Sequence, residues 1–553
     1  MVRGEERLMR PTDRPGELFA AFSRVVGSAF LNERLISCPT LSKAPNYGQV
    51  LRRFLLNSPA RPLGRSGLFR IALRYLVTNG LHLGFMLLGA LCLRLLRWKL
   101  PHCLEPDALS APAKPLFIVD TFAVLPKVAQ DRAFQDMYLP GLAEEAARCG
   151  REVTRLYRLY GSRHPWHLWQ SFRALKAAGN GLTELHLLTW SDWPRLVLHY
   201  LLYPLSLFGL IRSLRHYPAG SPESFIRDAL VRTAGQCVLI GEARRLAARR
   251  LGLRLAALPP RIGAPEQDHQ PEKRVPPVVI ASWYENQTLN KTFQRGLGQA
   301  ENQTGRHVPV IGAQLFIWPD VLLNNHPDDV EESFRLTPDK VLVNGPHFLP
   351  ENTRQTYAVG PSLRYGYLFA KDAAPVGATQ SAAIDAKPLL VLLSYHPEEV
   401  RRVLQLVLPL ALDGRNVVYK FHPTTKPDDF VGLLPMRPTM AAPSLKEALR
   451  EAGAVLGSGS GSLAEAVTQG IFVLNVDDPA GVPGLGLNYL PEYGRGLLWA
   501  TVRRSEDVET ALEAAKTARA KIDAETLQKH VTAFRDLLFT EPTPERIREA
   551  FEL

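Results

Sequence analysis

Three short stretches of the 553-residue chain gather residue types that could act on a phosphate or a hydroxyl. The first is YKFHPTT (419–425). A strand there delivers Lys420 and His422 to one edge of a sheet, and Pro423 ends the strand and fixes the turn. A histidine so placed can donate to a phosphate or to a leaving nucleotide; the bland alternative is a turn histidine satisfied by backbone. The second stretch is VLGSGSGSLAEAVTQG (455–470). A buried strand runs into Ser458, Gly459, Ser460, Gly461 and Ser462, and then into a helix that Gly470 stops. Unpaired backbone N–H groups at such a junction favour an anion. The glycines admit close approach and the serines add donors. The plain alternative is an N-cap serine in a permissive turn. The third is SWYENQ (282–287), where Glu285 follows a strand end. A carboxylate partly withdrawn from water can serve as a general base toward a hydroxyl, although a first-turn glutamate reads equally well. Asp120 in IVDTF (118–122) is the rival base. His396, in a second His-Pro pair after a strand, is the rival of His422. His326-Pro327 reads as a helix start and is discounted.

These residues need strands to carry them. KPLFIVD (114–120), ELHLLTW (184–190), CVLIG (237–241), VVIAS (278–282), VPVIG (308–312) and KVLVNG (340–345) read as buried strands of a first domain. A helix is expected around GLAEEAARCG (141–150). GEARRLAARRLG (241–252) reads as a basic helix, solvated or membrane-facing. The Pro- and charge-rich run 257–277 reads as an exposed insertion, and the Ala-rich run 371–388 as an interdomain linker. The pattern then restarts. PLLVLLS (388–394), NVVYKFHP (416–423), AVLGS (454–458) and IFVLNV (471–476) read as strands, with helices at 397–412, 444–453 and 462–470 between them. That is a βαβαβ unit, whose ligand site lies at the carboxyl ends of its strands. The expected fold class is α/β: two Rossmann-type parallel-sheet domains facing a cleft. The expected divisions are a basic, apolar N-terminal region 1–110, a first domain 111–370, the linker 371–388 and a second domain 389–553.

Five scattered cysteines, never in a C-x-x-C pair, argue against a disulfide framework or zinc site and for a reducing compartment. The net charge of +12 is concentrated: residues 1–100 hold 16 Lys/Arg and 5 Asp/Glu, a balance of +11. A basic end on a neutral body implies an anionic surface. The charge-free run YLVTNGLHLGFMLLGALCL between Arg74 and Arg94 favours lipid over nucleic acid, for which no aromatic-plus-basic stripe speaks. It reads as a membrane-surface or shallowly inserted helix, with Arg94, Arg97 and Lys99 near headgroups and Trp98 at the interface. LVLHYLLYPLSLFGLI (196–211) is a second such run. The start MVRGEERLMR has no early apolar core, so a cleaved secretory signal is not expected. Asp-Asp pairs occur at 328–329, 428–429 and 477–478; the last caps a turn rather than forming a metal site. No metal or tightly bound cofactor is expected.

The K-x-H-P strand end, with the SGSGS turn before SLAEAVTQGIFVLNV, resembles bacterial surface-carbohydrate glycosyltransferases of the GT-B fold. The nearest patterns are the His-Pro and Ser-Ser motifs of the CMP-sugar users, the sialyl-, polysialyl- and Kdo transferases. WYENQ followed by IGAQ is similar to the capsule and surface-polysaccharide biosynthesis group. The resemblance covers residues 278–480 and is most specific over 416–476. It implies that His422, Ser458, Ser460 and Ser462 bind the donor phosphate and that Glu285 is the acidic base. With Lys420, Gly459 and Gly461 beside the phosphate, and His396 and Glu465 on the nucleotide or ribose, the expected activity is sugar transfer from a nucleotide donor to a lipid-linked or surface glycan. The expected location is the inner face of the cytoplasmic membrane, reached through residues 51–100. The weighed alternatives are a CDP-alcohol phosphotransferase of teichoic-acid type, a sugar-nucleotide 2-epimerase and a non-catalytic membrane scaffold.

Overall fold

Apolar runs without polar alternation build two parallel sheets, each covered on both faces. In the computed structural model, which describes residues 14–43, 47–59, 63–104, 114–161, 164–258, 277–319, 322–323, 329–350, 355–370, 383–442, 444–477 and 488–553, the first sheet has seven strands. They are β1 (Leu116–Val124), β2 (Glu152–Tyr160), β3 (Gly181–Thr183), β4 (Val278–Tyr284), β5 (Val310–Gln314), β6 (Lys340–Val343) and β7 (Thr356–Val359). Their order is β3-β2-β1-β4-β5-β6-β7. The second sheet has six: β8 (Leu389–Leu392), β9 (Val417–Lys420), β10 (Thr439–Met440), β11 (Ala454–Gly457), β12 (Phe472–Val476) and β13 (Trp499–Val502), in the order β10-β9-β8-β11-β12-β13. Every neighbouring pair is parallel. The strand order therefore reverses between β1 and β4 in one sheet and between β8 and β11 in the other. A doubly wound sheet opens a crevice at the carboxyl ends of that pair. The two-domain α/β expectation is met.

Several local expectations are not. ELHLLTW is not a strand: Glu184–Leu187 is a helical turn, because the Thr183 amide donates to His186 Nδ1 at 3.0 Å and caps it. The strand is the three residues before it. CVLIG is the entry to a helix, Leu239–Ala257, whose first turn buries Leu239. That helix is interior, neither solvated nor membrane-facing. Gly252 lies against Ala300 and Gly296 against Ala248, so it packs tightly on helix Thr288–Thr304, and Arg244 is fully buried. Trp98 is also interior, donating from its indole to the Gly181 carbonyl at 3.1 Å.

The N-terminal region is built into the body. Helices Arg14–Phe30 and Tyr47–Leu55 share one core with Asp192–Ser213 and Pro222–Thr233, two helices inserted between β3 and β4. Phe22 meets Tyr47 and Phe54 meets Phe225 edge-on, at 5.3 and 5.5 Å between ring centroids. Beneath them a fully buried Glu331 lies between Lys291 and Lys43, the latter at 3.0 Å. The boundary expected near 110, most of the insertion and residues 371–382 of the linker fall outside the described residues; Ile384 at the end of that linker is buried in the second domain's core. The C-terminus closes the molecule. After helix Ala524–Leu538 the chain returns to the first domain, where Ile547 and Phe551 join the β1/β4 core and Arg548 pairs with Glu145 at 2.7 Å. Gly345 permits that crossing, since a Cβ there would lie 2.4 Å from the Leu538 backbone.

Candidate active site

Both switch points end in residues that the sequence singled out. β4 runs into Glu285, and β11 into the glycine–serine turn; His396 follows β8 and His422 follows β9. The two edges meet across the domain interface, where Gly461 presses on Ile317 of the first domain, 3.0 Å from where its Cβ would stand.

Glu285 is held by the motif around it. Asn286 takes a left-handed conformation (φ 54°), which turns the chain sharply out of β4. Asn290 Oδ1 accepts from the Gln287 amide at 3.1 Å and, more loosely, from the Glu285 amide at 3.3 Å; its Nδ2 donates to the Trp283 carbonyl at 2.7 Å. Asn286 donates to Glu331 at 3.2 Å, tying the turn to the buried lysine–glutamate triad. Gln287 donates to Glu285 Oε2 at 2.9 Å, while Oε1 is buried without a partner among the described residues. Burial pushes the Glu285 carboxyl up to about 8, against the opposing pull of Arg364, Gln287, the Phe316 amide and the Trp318 indole.

Arg364 is the site residue that sequence reading missed. Its guanidinium lies over the Phe316 ring at 4.2 Å and over Tyr138 at 5.4 Å. No hydrogen bond or ion pair is made by its five donors among the described residues. The same cation acts on Glu465, which reaches the interface from the second domain and accepts from the Tyr367 hydroxyl. Burial raises the Glu465 carboxyl to about 7. Two interdomain carboxyls near neutrality thus face one arginine. The signal in the sequence was an arginine amid aromatics, SLRYGYLF, just beyond β7.

On the second domain Tyr395 lies between two histidines, its ring tilted against both, with centroids 3.9 Å from His396 and 5.5 Å from His422. Burial lowers the pKa of both, so both are neutral at pH 7. The Thr424 amide donates to His422 Nδ1 at 3.3 Å, which leaves the proton on Nε2. Buried Tyr489 lies near Tyr395, Tyr365 and Glu285.

Not every predicted residue faces the cleft. Asp120 is not at a strand end: four residues of β1 follow it, and its Oδ2 is bonded to Arg244 at 2.5 Å and Ser282 at 2.6 Å. Mid-strand and engaged by a fully buried guanidinium and a serine, Asp120 is not placed at the crevice, so the geometry favours Glu285. Ser458 is fully buried; it donates to Glu399 at 2.9 Å and accepts from Arg402 at 2.9 Å, so it braces the turn instead of facing a ligand. Lys420 donates to the Ala442 carbonyl at 3.1 Å. Ser460 and Ser462 are half-exposed, and Gly459 adopts φ 62°, which a side chain would strain. Asp477 is paired with Arg503 at 3.1 Å; His326 and Asp478 lie outside the described residues.

No protein-family model matches the chain, and no curated protein matches it in sequence. Among solved structures it is similar to UDP-GlcNAc 2-epimerase from Neisseria meningitidis bound to UDP-GlcNAc (11% identity, 78% of this chain and 99% of that one, TM-score 0.39). It is similar also to the wall teichoic acid polymerase TagF (9%, 85% and 97%, TM-score 0.35) and to the glycosyltransferase SnogD from Streptomyces nogalater (13%, 79% and 98%, TM-score 0.33). The two-domain architecture stands on the strand order above, and the roles of side chains on their geometry.

Proposed function

We propose that the cleft transfers a glycosyl group from a nucleotide-linked donor, held by the second domain, to a hydroxyl acceptor set against the first. One observation carries this reading. Glu285, a buried carboxyl at one switch point, stands with Arg364, unbonded among the described residues, opposite the glycine–serine turn at the other. Ionised Glu285 takes the acceptor's hydroxyl proton. The oxygen attacks the anomeric carbon, and the carbon–oxygen bond to the donor phosphate breaks, its electron pair leaving with the nucleotide. Arg364, the Nε2–H of His422 and backbone N–H groups of residues 459–462 offset the growing phosphate charge, so this mechanism calls for no resident metal. His396 and Glu465 hold the nucleotide and ribose. The motifs favour a CMP-linked sugar of Kdo or sialic-acid type as donor and a lipid-linked or surface glycan as acceptor. An acceptor of that kind places the protein on the cytoplasmic face of a membrane.

Thermal shifts with CMP, CDP, UDP and GDP test the donor, with CMP expected to stabilise most. A CDP preference would point to phosphotransfer, and no shift with any nucleotide would leave a scaffold. His422→Ala should abolish transfer while the fold persists; unchanged activity would move its role to His396.

The two carboxyls at about 7 and 8 favour one second reading, proton abstraction and return on a bound nucleotide sugar, as in epimerisation. Incubation with the sugar nucleotide in deuterated water separates the two. Deuterium on the sugar carbon marks epimerisation, and a sugar released or transferred without it marks glycosyl transfer.

A further inference from the structure

Two helices carry an apolar surface that neither sheet nor core uses. Arg65–Leu95 and Asp192–His216 are long and apolar enough to cross a membrane, yet only 28% of the apolar window of each is buried. A core helix of this composition would be mostly covered. The buried part of the first is a stripe: Tyr75, Asn79, Met86, Gly89 and Leu93. Asn79 is the polar residue that interrupts the apolar run, and it points inward. Its Oδ1 accepts from the Val238 amide at 3.0 Å and its Nδ2 donates to the Tyr75 carbonyl at 2.9 Å. The second helix buries Leu196, His199, Tyr203 and Leu207 in the same way.

The helices meet where Tyr75 and Leu76 of the first face Tyr200 and Tyr203 of the second, and the order of their contacts runs oppositely along the two. Tyr75 stacks on Tyr200 at 5.5 Å and on Tyr203 at 6.0 Å, and its hydroxyl donates to the Tyr200 carbonyl at 2.8 Å. Met86 and Leu196 share a cluster, and Arg94 lies over the Trp190 ring at 4.8 Å. Their outward faces are therefore one surface, with Leu73, Val77 and Leu87 beside Leu198, Leu201 and Phe208. Both ends of that surface are basic. Arg94 and the 73%-exposed Trp190 mark one; exposed Arg65, Arg70 and Arg74 on the first helix and Arg212, Arg215 and His216 on the second mark the other. The first helix has no acidic residue, and the only one in the second, Asp192, is buried.

We propose that these helices form a single monotopic face that lies in one leaflet of an anionic bilayer, half-immersed along its length, without crossing it. Three features favour this over the other occupants. The inner stripe is packed on the α/β body from Tyr75 to Leu93, about 27 Å at 1.5 Å per residue, so crossing would drag that body into hydrocarbon. Arginines at both ends suit one anionic surface, whereas a spanning helix segregates them to one side. Self-pairing of two such faces would set arginine against arginine, because either end is cationic. The inference deepens the membrane reading above: it joins the two expected runs into one face, replaces Trp98 by Trp190 as the interfacial tryptophan, and fixes the orientation.

Flotation of the full chain with vesicles tests it. The protein should float with phosphatidylglycerol-containing vesicles and not with pure phosphatidylcholine. Leu73→Glu with Leu201→Glu should abolish flotation; Leu412→Glu, an exposed site on the second domain, should not. Each arginine removed at 212 or 215 should weaken anionic binding about five-fold. Cysteines at the two ends (Arg70→Cys, Ser191→Cys, with Cys149 and Cys237 replaced by serine) should both react with an impermeant maleimide from the same side. Opposite-sided labelling would make the helices spanning. Undiminished flotation of the double glutamate variant, or a lipid-indifferent dimer, would overturn the proposal. The nucleotide thermal shift of that variant should match the unmodified protein, so failure here is separable from failure of the catalytic reading.

Discussion

Arg52 and Glu399 lie 2.8 Å apart although 347 residues separate them in the chain. Arg52 belongs to the N-terminal helices, and Glu399 to the first turn of the helix after β8. Glu399 also accepts from Ser458, the first residue of the glycine–serine turn. The N-terminal region is thus two contacts from the glycine–serine turn. Arg52 is a third exposed, so the pair adds under about 1 kcal/mol of stability. Arg52→Ala should leave the denaturation midpoint almost unchanged but raise the donor KM several-fold with kcat preserved. Equal KM values in the two proteins would reduce the contact to an ordinary surface pair.

Glu285 makes a pH prediction whose sign is fixed. A base must be ionised, and burial holds this carboxyl at about 8, so kcat/KM should climb with pH and level off above that value. Glu285→Gln should lose about 10²- to 10⁴-fold in kcat and flatten the limb. Stability runs the other way. The folded carboxyl keeps its proton above the unfolded value of about 4.3, so folding is penalised increasingly as pH rises from there to about 8. Urea midpoints at pH 9 should place the glutamine variant above the wild type; a lower midpoint would mean that ionised Glu285 is a structural partner.

The sequence made the strand ends legible where apolar runs were unbroken. β1, β4, β5, β8, β11 and β12 are such runs, and they carry Glu285 and the glycine–serine turn to the crevice. β2 was missed because EVTRLYRLY interleaves arginines with its buried residues, and β7 because its residues are half-exposed or exposed. CVLIG looked like a strand because a short apolar run has no readable period. The partners of each candidate were invisible for another reason. Nothing near Asp120 announces Arg244, 124 residues later, and nothing near Ser458 announces Glu399. Those long-range pairs decide which polar residues are braces and which remain free for chemistry.

Glu331 is a test of the body that carries the site. Burial alone would raise its carboxyl, but Lys291 and Lys43 hold it down to about 2. Glu331→Ala leaves two buried ammonium groups uncompensated and should cost about 3–5 kcal/mol in urea unfolding. The depressed value means that the triad stabilises fully above the ordinary carboxylate range and fails as pH falls toward 2. Acid unfolding should therefore begin at higher pH when Lys291 is replaced by methionine. An unshifted acid transition would show that other carboxylates govern it.

Arg364 offers the sharpest separation of charge from geometry. Its guanidinium lies over Phe316, and its donors make no bond among the described residues between Glu285 and Glu465, so both its charge and its plane should matter. Arg364→Ala removes a cation from the departing phosphate and should lower kcat by about 10²-fold or more. Arg364→Lys keeps the charge but lacks the planar fork, and should recover only a small part of the rate. The alanine change also removes the cation that opposes burial at Glu285, so the acidic limb of the pH profile should move above 8. Measuring kcat/KM from pH 6 to 10 in all three proteins checks both effects together. A full rate with lysine would reduce Arg364 to a point charge, and an unmoved limb in the alanine variant would remove Glu285 as the titrating base.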